Sequence, residues 1–199
     1  CRWIESHYQQ RMQSLYTQVP TERVPRLAQL CRDNPLTDLD DITAFILHTL
    51  QSRASYSLTP GWTPVTQDMV EYFLFENGLG YCQHFASAAT LMYRLYGIPA
   101  RYATGYIAMP EDFFNMTAAL SSAFPYQESA EEEYVAILSE FSAHAWTEIF
   151  LPGYGWTPVE VTPAADGSIT PVYPGLNLDA LARRLAEWDF AFPARGGNA

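Results

Sequence analysis

Basic residues are scarce in this 199-residue chain, and long apolar runs are missing from it. Lysine and arginine number 11 against 22 aspartate and glutamate residues, which gives a formal net charge of −11. A surface for nucleic acid or for an anionic membrane needs clustered lysine and arginine, so we expect no nucleic-acid partner. No run of about 18 apolar residues occurs, and no basic-then-apolar leader, so the chain itself is predicted not to span a membrane.

Cysteine is also rare, with only Cys1, Cys31 and Cys82 in the sequence. The three form neither a Cys-x-x-Cys motif nor a cysteine/histidine metal spacing, so we expect no metal and no cofactor. If Cys1 and Cys31 form a disulfide, Cys82 remains a thiol; buried or incidental thiols are the alternative. Because residue 1 is a cysteine and not a methionine, we also expect the sequence to be part of a longer or processed chain.

The remaining composition is that of a folded domain. Hydrophobic residues make up 48% of the chain and aromatic residues 15%, far from the composition of disordered proteins. The length suffices for one domain with a buried core. We predict an N-terminal helical extension over residues 1–36, the main core of the domain over 37–170, and a C-terminal helix and tail over 171–199.

Helical patterns occupy the first half of the chain. Prolines 20, 25 and 35 interrupt the N-terminal helices. After Asp38, apolar positions recur every three or four residues, and Asp68 can cap a short helix that ends near Asn77-Gly78. A third helix begins at Cys82 and buries one face before Gly97. Its apolar positions are Phe85, Ala88, Ala89, Met92 and Leu95.

Short aromatic and β-branched segments separated by proline and glycine follow these helices. They cover residues 101–107, 134–138, 143–151 and 156–161. Helices first and strands second favour an α+β fold, with the Cys82 helix packed against an antiparallel sheet. The acidic insertion 110–133 is predicted to be a loop or flap, and its Glu131-Glu132-Glu133 run lacks the spaced ligands of a calcium loop.

The segment Gly80-Tyr81-Cys82-Gln83-His84 contains the candidate nucleophile. A thiol at a helix N-terminus is exposed to the positive end of the helix dipole, which stabilises the thiolate. The thiolate is the nucleophilic form, so this position of Cys82 indicates covalent catalysis. An inert thiol is the alternative interpretation of the same residue.

Histidine 144 is the best candidate for a general base among the four histidines. His84 lies two residues from Cys82 and is predicted to point to another face of the helix, whereas His7 and His48 lie in helical segments without helpful neighbours. His144 begins a predicted strand, where Trp146 and Glu148 alternate on its face.

Two carboxylates compete to orient the His144 ring, Glu148 and Glu160. Glu148 shares the strand face of His144 but lies about two pleats further along, roughly 13 Å away. A hairpin from residues 143–151 into 156–161 would bring Glu160 roughly opposite His144. We therefore predict a catalytic triad of Cys82, His144 and Glu160.

These motifs resemble the transglutaminase-like superfamily, whose members are relatives of the papain-like cysteine proteases. The resemblance covers residues 68–163. It rests on Gly80-Tyr81-Cys82 with Phe85-Ala86, on Gly97-Ile98-Pro99-Ala100-Arg101 with Gly105-Tyr106, on His144-Ala145-Trp146-Thr147-Glu148, and on Gly155-Trp156 with Glu160-Val161-Thr162-Pro163. It implies Cys82 as nucleophile, His144 as base and Glu160 as orienting acid. Most of the family has aspartate at the last position, so the longer Glu160 side chain must fold back or its strand must lie further away.

The resemblance implies acyl transfer through a thioester, with a protein or peptide carboxamide as substrate. The Cys82 backbone N–H is one expected oxyanion donor, and Tyr56 and Trp62 are candidates for the second. Arg101 and Glu148 are expected to form a structural ion pair. A cysteine peptidase or amidase acting on peptides or cell-wall material is a second hypothesis. The third is an interaction module with little catalysis. The resemblance further implies an extracytoplasmic domain attached to a membrane through other parts of its parent protein.

Overall fold

The computed structural model describes residues 2–108, 113–115, 134–136, 138 and 142–163. Five α-helices precede most of the strands in this part of the chain, as the sequence pattern predicted. The helices are α1 (Arg2–Tyr16), α2 (Pro25–Asp33), α3 (Leu39–Arg53), α4 (Met69–Tyr72) and α5 (Cys82–Leu95). The strands are β1 (Ser55–Tyr56), β2 (Leu79–Gly80), β3 (Ala100–Tyr106), β4 (Phe113–Asn115), β5 (Tyr134–Ala136), β6 (Ala143–Leu151) and β7 (Gly155–Val159).

Local capping fixes where the helices begin. The Asp38 carboxylate accepts hydrogen bonds from the backbone N–H groups of Asp40 and Asp41, so α3 begins at Leu39. The Asp68 carboxylate accepts from the Val70 N–H in the same way and starts α4. Pro25 occupies the first position of α2, where a missing N–H costs nothing.

A π-helical turn follows α4 and was not predicted. It covers Phe73–Asn77 and ends at Gly78, which has a φ of +66°. The Gly78 N–H donates to the Phe73 carbonyl oxygen at 2.9 Å, five residues back, which is the π-type pattern. This turn leads directly into β2 and therefore into the segment that begins α5.

The chain divides into two compact units. The first comprises residues 1–103 and 145–199, and the second comprises residues 104–144. The core of the first unit is formed by α2, α3, α4, α5 and the adjoining strands. Its largest fully buried side chains include Tyr93, Phe73, Phe85, Leu27, Ile42, Ile46, Leu50 and Met92. The buried face predicted for the Cys82 helix is confirmed, because Phe85, Ala88, Ala89 and Met92 have no exposed surface.

The main sheet has three strands in the order β3-β6-β7. Strands β6 and β7 form the predicted antiparallel hairpin, whose pairs run from Leu151 with Gly155 to Thr147 with Val159. A separate pair of short parallel strands, β1 and β2, aligns Ser55 with Leu79 and Tyr56 with Gly80. The α+β fold with an antiparallel sheet is therefore confirmed.

In the second unit, β4 pairs with β5 in antiparallel register, with Phe114 aligned to Val135. Strand β4 lies inside the insertion 110–133 that was predicted to be a loop or flap, so that prediction was wrong for residues 113–115. The aromatic residues of this stretch have high strand propensity, and pairing with β5 supplies the backbone hydrogen bonds that a loop would leave to water. The Glu131-Glu132-Glu133 run and the predicted C-terminal helix lie outside the described residues.

Candidate active site

Cys82 is the first residue of α5, as predicted, and its side chain is half-buried. The Tyr81 residue before it is the N-cap, with extended backbone at φ −117° and ψ −177°. The sharp entry into the helix depends on Gly80. A β-carbon on residue 80 would lie 2.6 Å from Phe73 Cε2 and 2.7 Å from His84 Cβ, distances that real side chains do not adopt. The glycine of the Gly-Tyr-Cys motif thus lets the chain pass close enough to α5 to start it at Cys82.

His84 stabilises the start of the same helix. The Tyr81 backbone N–H donates to His84 Nδ1 at 3.3 Å, so one of the N–H groups at the helix start has a side-chain acceptor. The ring packs against Phe73 and Tyr81, with centroid distances of 5.3 and 4.6 Å. Burial lowers the pKa of His84, which agrees with a neutral ring that accepts at Nδ1. This histidine is occupied in capping, in agreement with the sequence argument against its being the base.

Two tyrosines lie near the Cys82 thiol. Burial raises the pKa of Tyr56, and the nearby negative charge of Cys82 raises it further. Burial also raises the pKa of Tyr102, and the charges of Cys82 and, to a smaller extent, Tyr81 raise it further. Tyr56 is held by its alignment with Gly80 in the β1–β2 pair, and Tyr102 lies on β3. Both tyrosines are partly exposed to solvent.

The two candidates for a second oxyanion donor differ in position. Tyr56 lies close to Cys82, whereas the Trp62 side chain is almost fully exposed to solvent. The structure therefore gives no support to Trp62 as a donor and leaves Tyr56 as the better candidate. Tyr102 was not considered from the sequence. It lies on β3, and nothing in a single sequence indicates that it interacts electrostatically with Cys82.

Buried hydroxyl groups connect α5 to strand β6. The Thr147 hydroxyl donates to the Ala86 carbonyl oxygen at 3.0 Å, and Thr90 Oγ1 lies 3.1 Å from Thr147 Oγ1. Both threonines are buried. Ala86 is one helical turn after Cys82, and Thr147 is three residues after His144 in the chain. These bonds hold β6 in a fixed register on the nucleophile helix.

Glu160 lies immediately after β7, one residue beyond the last aligned pair of the hairpin. Its carboxylate folds back onto the following backbone, where Oε1 accepts the Val161 N–H at 3.0 Å and the Thr162 N–H at 2.8 Å. Folding back was one of the two ways in which the longer side chain was expected to fit. The predicted pairing of Glu160 with His144 remains a prediction.

His144 lies in β6, is half-buried, and is the last residue of the second unit. The other two histidines, His7 and His48, are exposed on helices α1 and α3. His144 therefore remains the candidate base, and its role in a triad with Cys82 and Glu160 is taken up as a proposal below.

The predicted ion pair between Arg101 and Glu148 is confirmed. Arg101 Nε donates to Glu148 Oε2 at 2.6 Å, and the guanidinium lies 4.3 Å from the Trp156 ring centroid. Trp146 Nε1 also donates to Glu148, at 3.2 Å from Oε1. This network joins β3, β6 and β7 across one face of the sheet. Glu148 is thus engaged by an arginine and a tryptophan, which supports its assignment as a framework residue.

The Cys31 side chain is a buried thiol on α2 and not part of a disulfide. Burial raises its pKa to about 12. Cys1 lies outside the described residues. Within the described ranges, no three histidine, cysteine, aspartate or glutamate side chains group together as metal ligands. The helices described there also include none with the length and apolar character needed to cross a bilayer.

A cysteine at the start of a buried helix that is joined to an antiparallel sheet places the chain in the α+β class of folds. Within that class, the family model of the transglutaminase-like superfamily matches residues 25–161. Since this match covers more than half of the chain, the chain belongs to the transglutaminase-like superfamily.

Proteins similar to this chain occur in Bacillus subtilis and Pseudomonas aeruginosa. The chain is 32% identical over 97 residues to the uncharacterized protein YebA of Bacillus subtilis, which is 48% of this chain and 11% of that protein. It is 33% identical over 108 residues to a protein-glutamine gamma-glutamyltransferase of Pseudomonas aeruginosa, which is 54% of this chain and 13% of that protein. The crystal structure of the periplasmic domain of TgpA from Pseudomonas aeruginosa, bound to ethylmercury, superposes with a TM-score of 0.57 at 27% identity. That match covers 75% of this chain and 48% of the TgpA chain.

Proposed function

We propose that this chain is a thiol acyl-transfer enzyme, with Cys82 as nucleophile, His144 as general base and then acid, and Glu160 as the group that orients His144. The observation that carries the proposal is the position of Cys82 at the first residue of α5. At that end of a helix the dipole favours the thiolate, and backbone N–H groups are directed at a developing oxyanion. Superfamily membership supports the same assignment.

In the proposed reaction, His144 takes the proton of the Cys82 thiol, and the thiolate attacks the carbonyl carbon of a carboxamide. The carbon–nitrogen bond breaks, and the nitrogen leaves as ammonia or an amine with the proton from His144. A thioester on Cys82 remains. An acceptor amine then attacks the thioester carbonyl, loses its proton to His144, and displaces Cys82 as the thiolate. Return of this proton from His144 to Cys82 regenerates the starting site. With water as the acceptor, the same steps hydrolyse the amide.

A glutamine side chain is the donor carboxamide that we propose. The support comes from the Pseudomonas aeruginosa relative, whose name is protein-glutamine gamma-glutamyltransferase. The structural neighbour is a periplasmic domain, and we extend that location to this chain as an extracytoplasmic domain of a membrane-anchored protein. Fusion of the full-length parent protein to alkaline phosphatase at this domain tests the location, because that reporter is active only outside the cytoplasm.

Alkylation by iodoacetamide tests whether Cys82 is an activated nucleophile. Its rate at Cys82 is measured as a function of pH by mass spectrometry, in a Cys1→Ser background. Cys31 is an internal reference, because it is buried and its pKa is raised to about 12. We expect rapid alkylation of Cys82 that persists to about pH 5, as for thiols paired with a histidine. The His144→Ala variant should lose this behaviour, and His48→Ala, which removes an exposed histidine of α3, should retain it. Alkylation that follows an ordinary thiol pKa of about 8.5 in every variant would contradict the proposal.

Transfer itself is measured with a glutamine-containing peptide and a fluorescent primary amine. Release of ammonia without incorporation of the amine would identify hydrolysis instead of transfer. Absence of both, in a protein whose Cys82 alkylates at an ordinary rate, would favour the interaction-module hypothesis.

A further inference from the structure

The segment between β1 and α4 exposes large apolar side chains beside the nucleophile. We call residues 57–66 the apolar loop. Its Leu58, Trp62 and Val65 side chains are 77%, 95% and 103% exposed. No charged residue occurs from residue 54 to residue 67, in a chain whose net charge is −11. Exposed apolar patches of this kind mark binding surfaces more often than isolated exposed side chains do.

Hydrogen bonds hold the backbone of the apolar loop in place. The Ser57 N–H donates to the Gly80 carbonyl oxygen at 2.7 Å. The Asn77 side-chain amide, at the end of the π-helical turn, donates to the carbonyl oxygens of Pro60 and Leu79, both at 3.0 Å. The backbone is therefore tethered at Ser57 and Pro60, while the apolar side chains of the loop lie outside the protein core. Such a surface is already ordered before any ligand arrives, which lowers the entropic cost of binding.

The same hydrogen bonds connect the start of the apolar loop to the strand that precedes Cys82. Leu79 and Gly80, which carry two of the three acceptors, precede Cys82 by three and two residues. Leu79, Tyr56 and Tyr102 are themselves partly exposed. The two tyrosines lie close enough to Cys82 for its charge to affect their pKa values. The apolar loop thus begins beside Gly80, two residues before the thiol that a donor carbonyl must approach.

We propose that the apolar loop, through Trp62, Leu58 and Val65, is the subsite for the residues that flank the donor carboxamide, and that it selects peptide segments with uncharged, apolar residues there. This inference rests on the proposed acyl transfer at Cys82. The absence of charged residues in the loop indicates which ligand it suits. Because the loop contains neither a cation nor an anion, burial of apolar surface is the main source of binding free energy that it can contribute. The acidic character of the whole chain disfavours an anionic lipid surface as the occupant.

Peptide binding to the full chain with Cys82→Ala tests this subsite without catalysis. The probes are two fluorescein-labelled peptides of equal length with one central glutamine, one flanked by leucine and phenylalanine and the other by serine and glycine. We expect tighter binding of the apolar peptide, measured by fluorescence anisotropy, and about tenfold weaker binding after Trp62→Ala. Leu15→Ser, which changes an exposed leucine of α1, is the matched control and should leave binding unchanged. Equal binding of both peptides, or no effect of Trp62→Ala, would overturn the inference.

Two further measurements separate the remaining outcomes. With Cys82 intact, Trp62→Ala should raise KM for the apolar peptide about tenfold and change kcat by less than about twofold. Turnover that does not depend on Trp62 would retain the acyl-transfer proposal and reject the subsite. Trp62-dependent binding without turnover would contradict the acyl-transfer proposal and, with it, the assignment of the loop to a donor subsite. Two other outcomes would also overturn the inference, provided that Trp62→Ala leaves peptide binding unchanged. Sedimentation with phosphatidylcholine vesicles that depends on Trp62 would assign the loop to a membrane surface. Dimerisation that depends on Trp62, measured by analytical ultracentrifugation, would assign it to a second copy of the chain.

Discussion

Gly80 and His84 approach each other so closely that the segment before Cys82 has no room for a side chain at residue 80. A β-carbon there would lie 2.7 Å from His84 Cβ. The contact matters because His84 Nδ1 accepts the Tyr81 N–H from the other side of the same turn. The two residues together fix the geometry of the turn in which Cys82 begins its helix.

Gly80→Ala should therefore disturb both the fold and the thiol. The added methyl group would meet Phe73 Cε2 at 2.6 Å as well as His84, so the backbone must shift. We expect a loss of about 1–3 kcal/mol in the free energy of unfolding, the range typical of overpacked sites. Urea denaturation measures it, with Leu79→Ala at the neighbouring, partly exposed residue as the control. The same stability in both variants would show that the turn can relax around the extra methyl group.

The neutral ring of His84 predicts a specific dependence of stability on pH. Burial lowers the pKa of His84 in the folded state below its unfolded value. Between the two values the unfolded chain binds more protons, so stability falls as the pH falls from about 6.5 towards the folded pKa. Protonation also replaces the acceptor at Nδ1 with a donor that faces the Tyr81 N–H.

His84→Asn keeps a side-chain acceptor at this position and removes the titration. We expect the free energy of unfolding to decrease less between pH 7.5 and pH 5.5 in the variant than in the parent protein, measured by urea denaturation at each pH. His7, His48 and His144 are present in both proteins, so the comparison isolates the change at residue 84. Parallel pH profiles would mean that the His84 cap contributes nothing to the acid sensitivity.

Local signals predicted the parts of the fold that local interactions determine. Asp38 and Asp68 cap the helices that follow them, and Gly78 and Gly97 end helical segments with φ values of +66° and +80°. The hairpin of β6 and β7 follows from strand pattern and turn residues in the same way.

The remaining features depend on contacts between distant segments. The π-helical turn requires the bond from Gly78 to Phe73, and the role of Asn77 requires Pro60 to pass beside it. The electrostatic interaction of Tyr102 with Cys82 likewise joins residues that are twenty positions apart in the chain. Residue patterns identify Cys82 as a helix start, but they do not specify which side chains surround its thiol.

The buried threonines should behave as one unit. Thr147→Val removes the hydrogen bond to the Ala86 carbonyl and the partner of the Thr90 hydroxyl. We expect a loss of about 1–2 kcal/mol in the free energy of unfolding. Combining it with Thr90→Val should cost less than the two single losses together, because both substitutions remove the same Thr90–Thr147 contact. Strict additivity in this double-mutant cycle, measured by urea denaturation, would contradict a shared interaction.

One substitution of Glu160 can separate its contribution to the stability of the fold from its proposed contribution to catalysis. Its Oε1 accepts two backbone N–H groups, from Val161 and Thr162. In Glu160→Gln the amide oxygen can accept the same two bonds, so the free energy of unfolding should change by less than about 0.5 kcal/mol. The negative charge that would orient and stabilise the His144 imidazolium is lost, however. We expect kcat for transfer from a glutamine peptide to fall by about 10²–10⁴-fold, as when an orienting carboxylate is replaced by its amide in other triads.

Glu160→Asp is the matched charged variant. It shortens the side chain by one methylene but keeps the carboxylate, and aspartate is the residue that the family most often has in this position. We expect its kcat to stay within about tenfold of the parent value. If Glu160→Gln and Glu160→Asp are equally active, the carboxylate only closes the turn after β7, and His144 must be oriented by another group. If Glu160→Gln is inactive and equally stable, the loss comes from the missing charge, because the turn that the side chain supports is still formed.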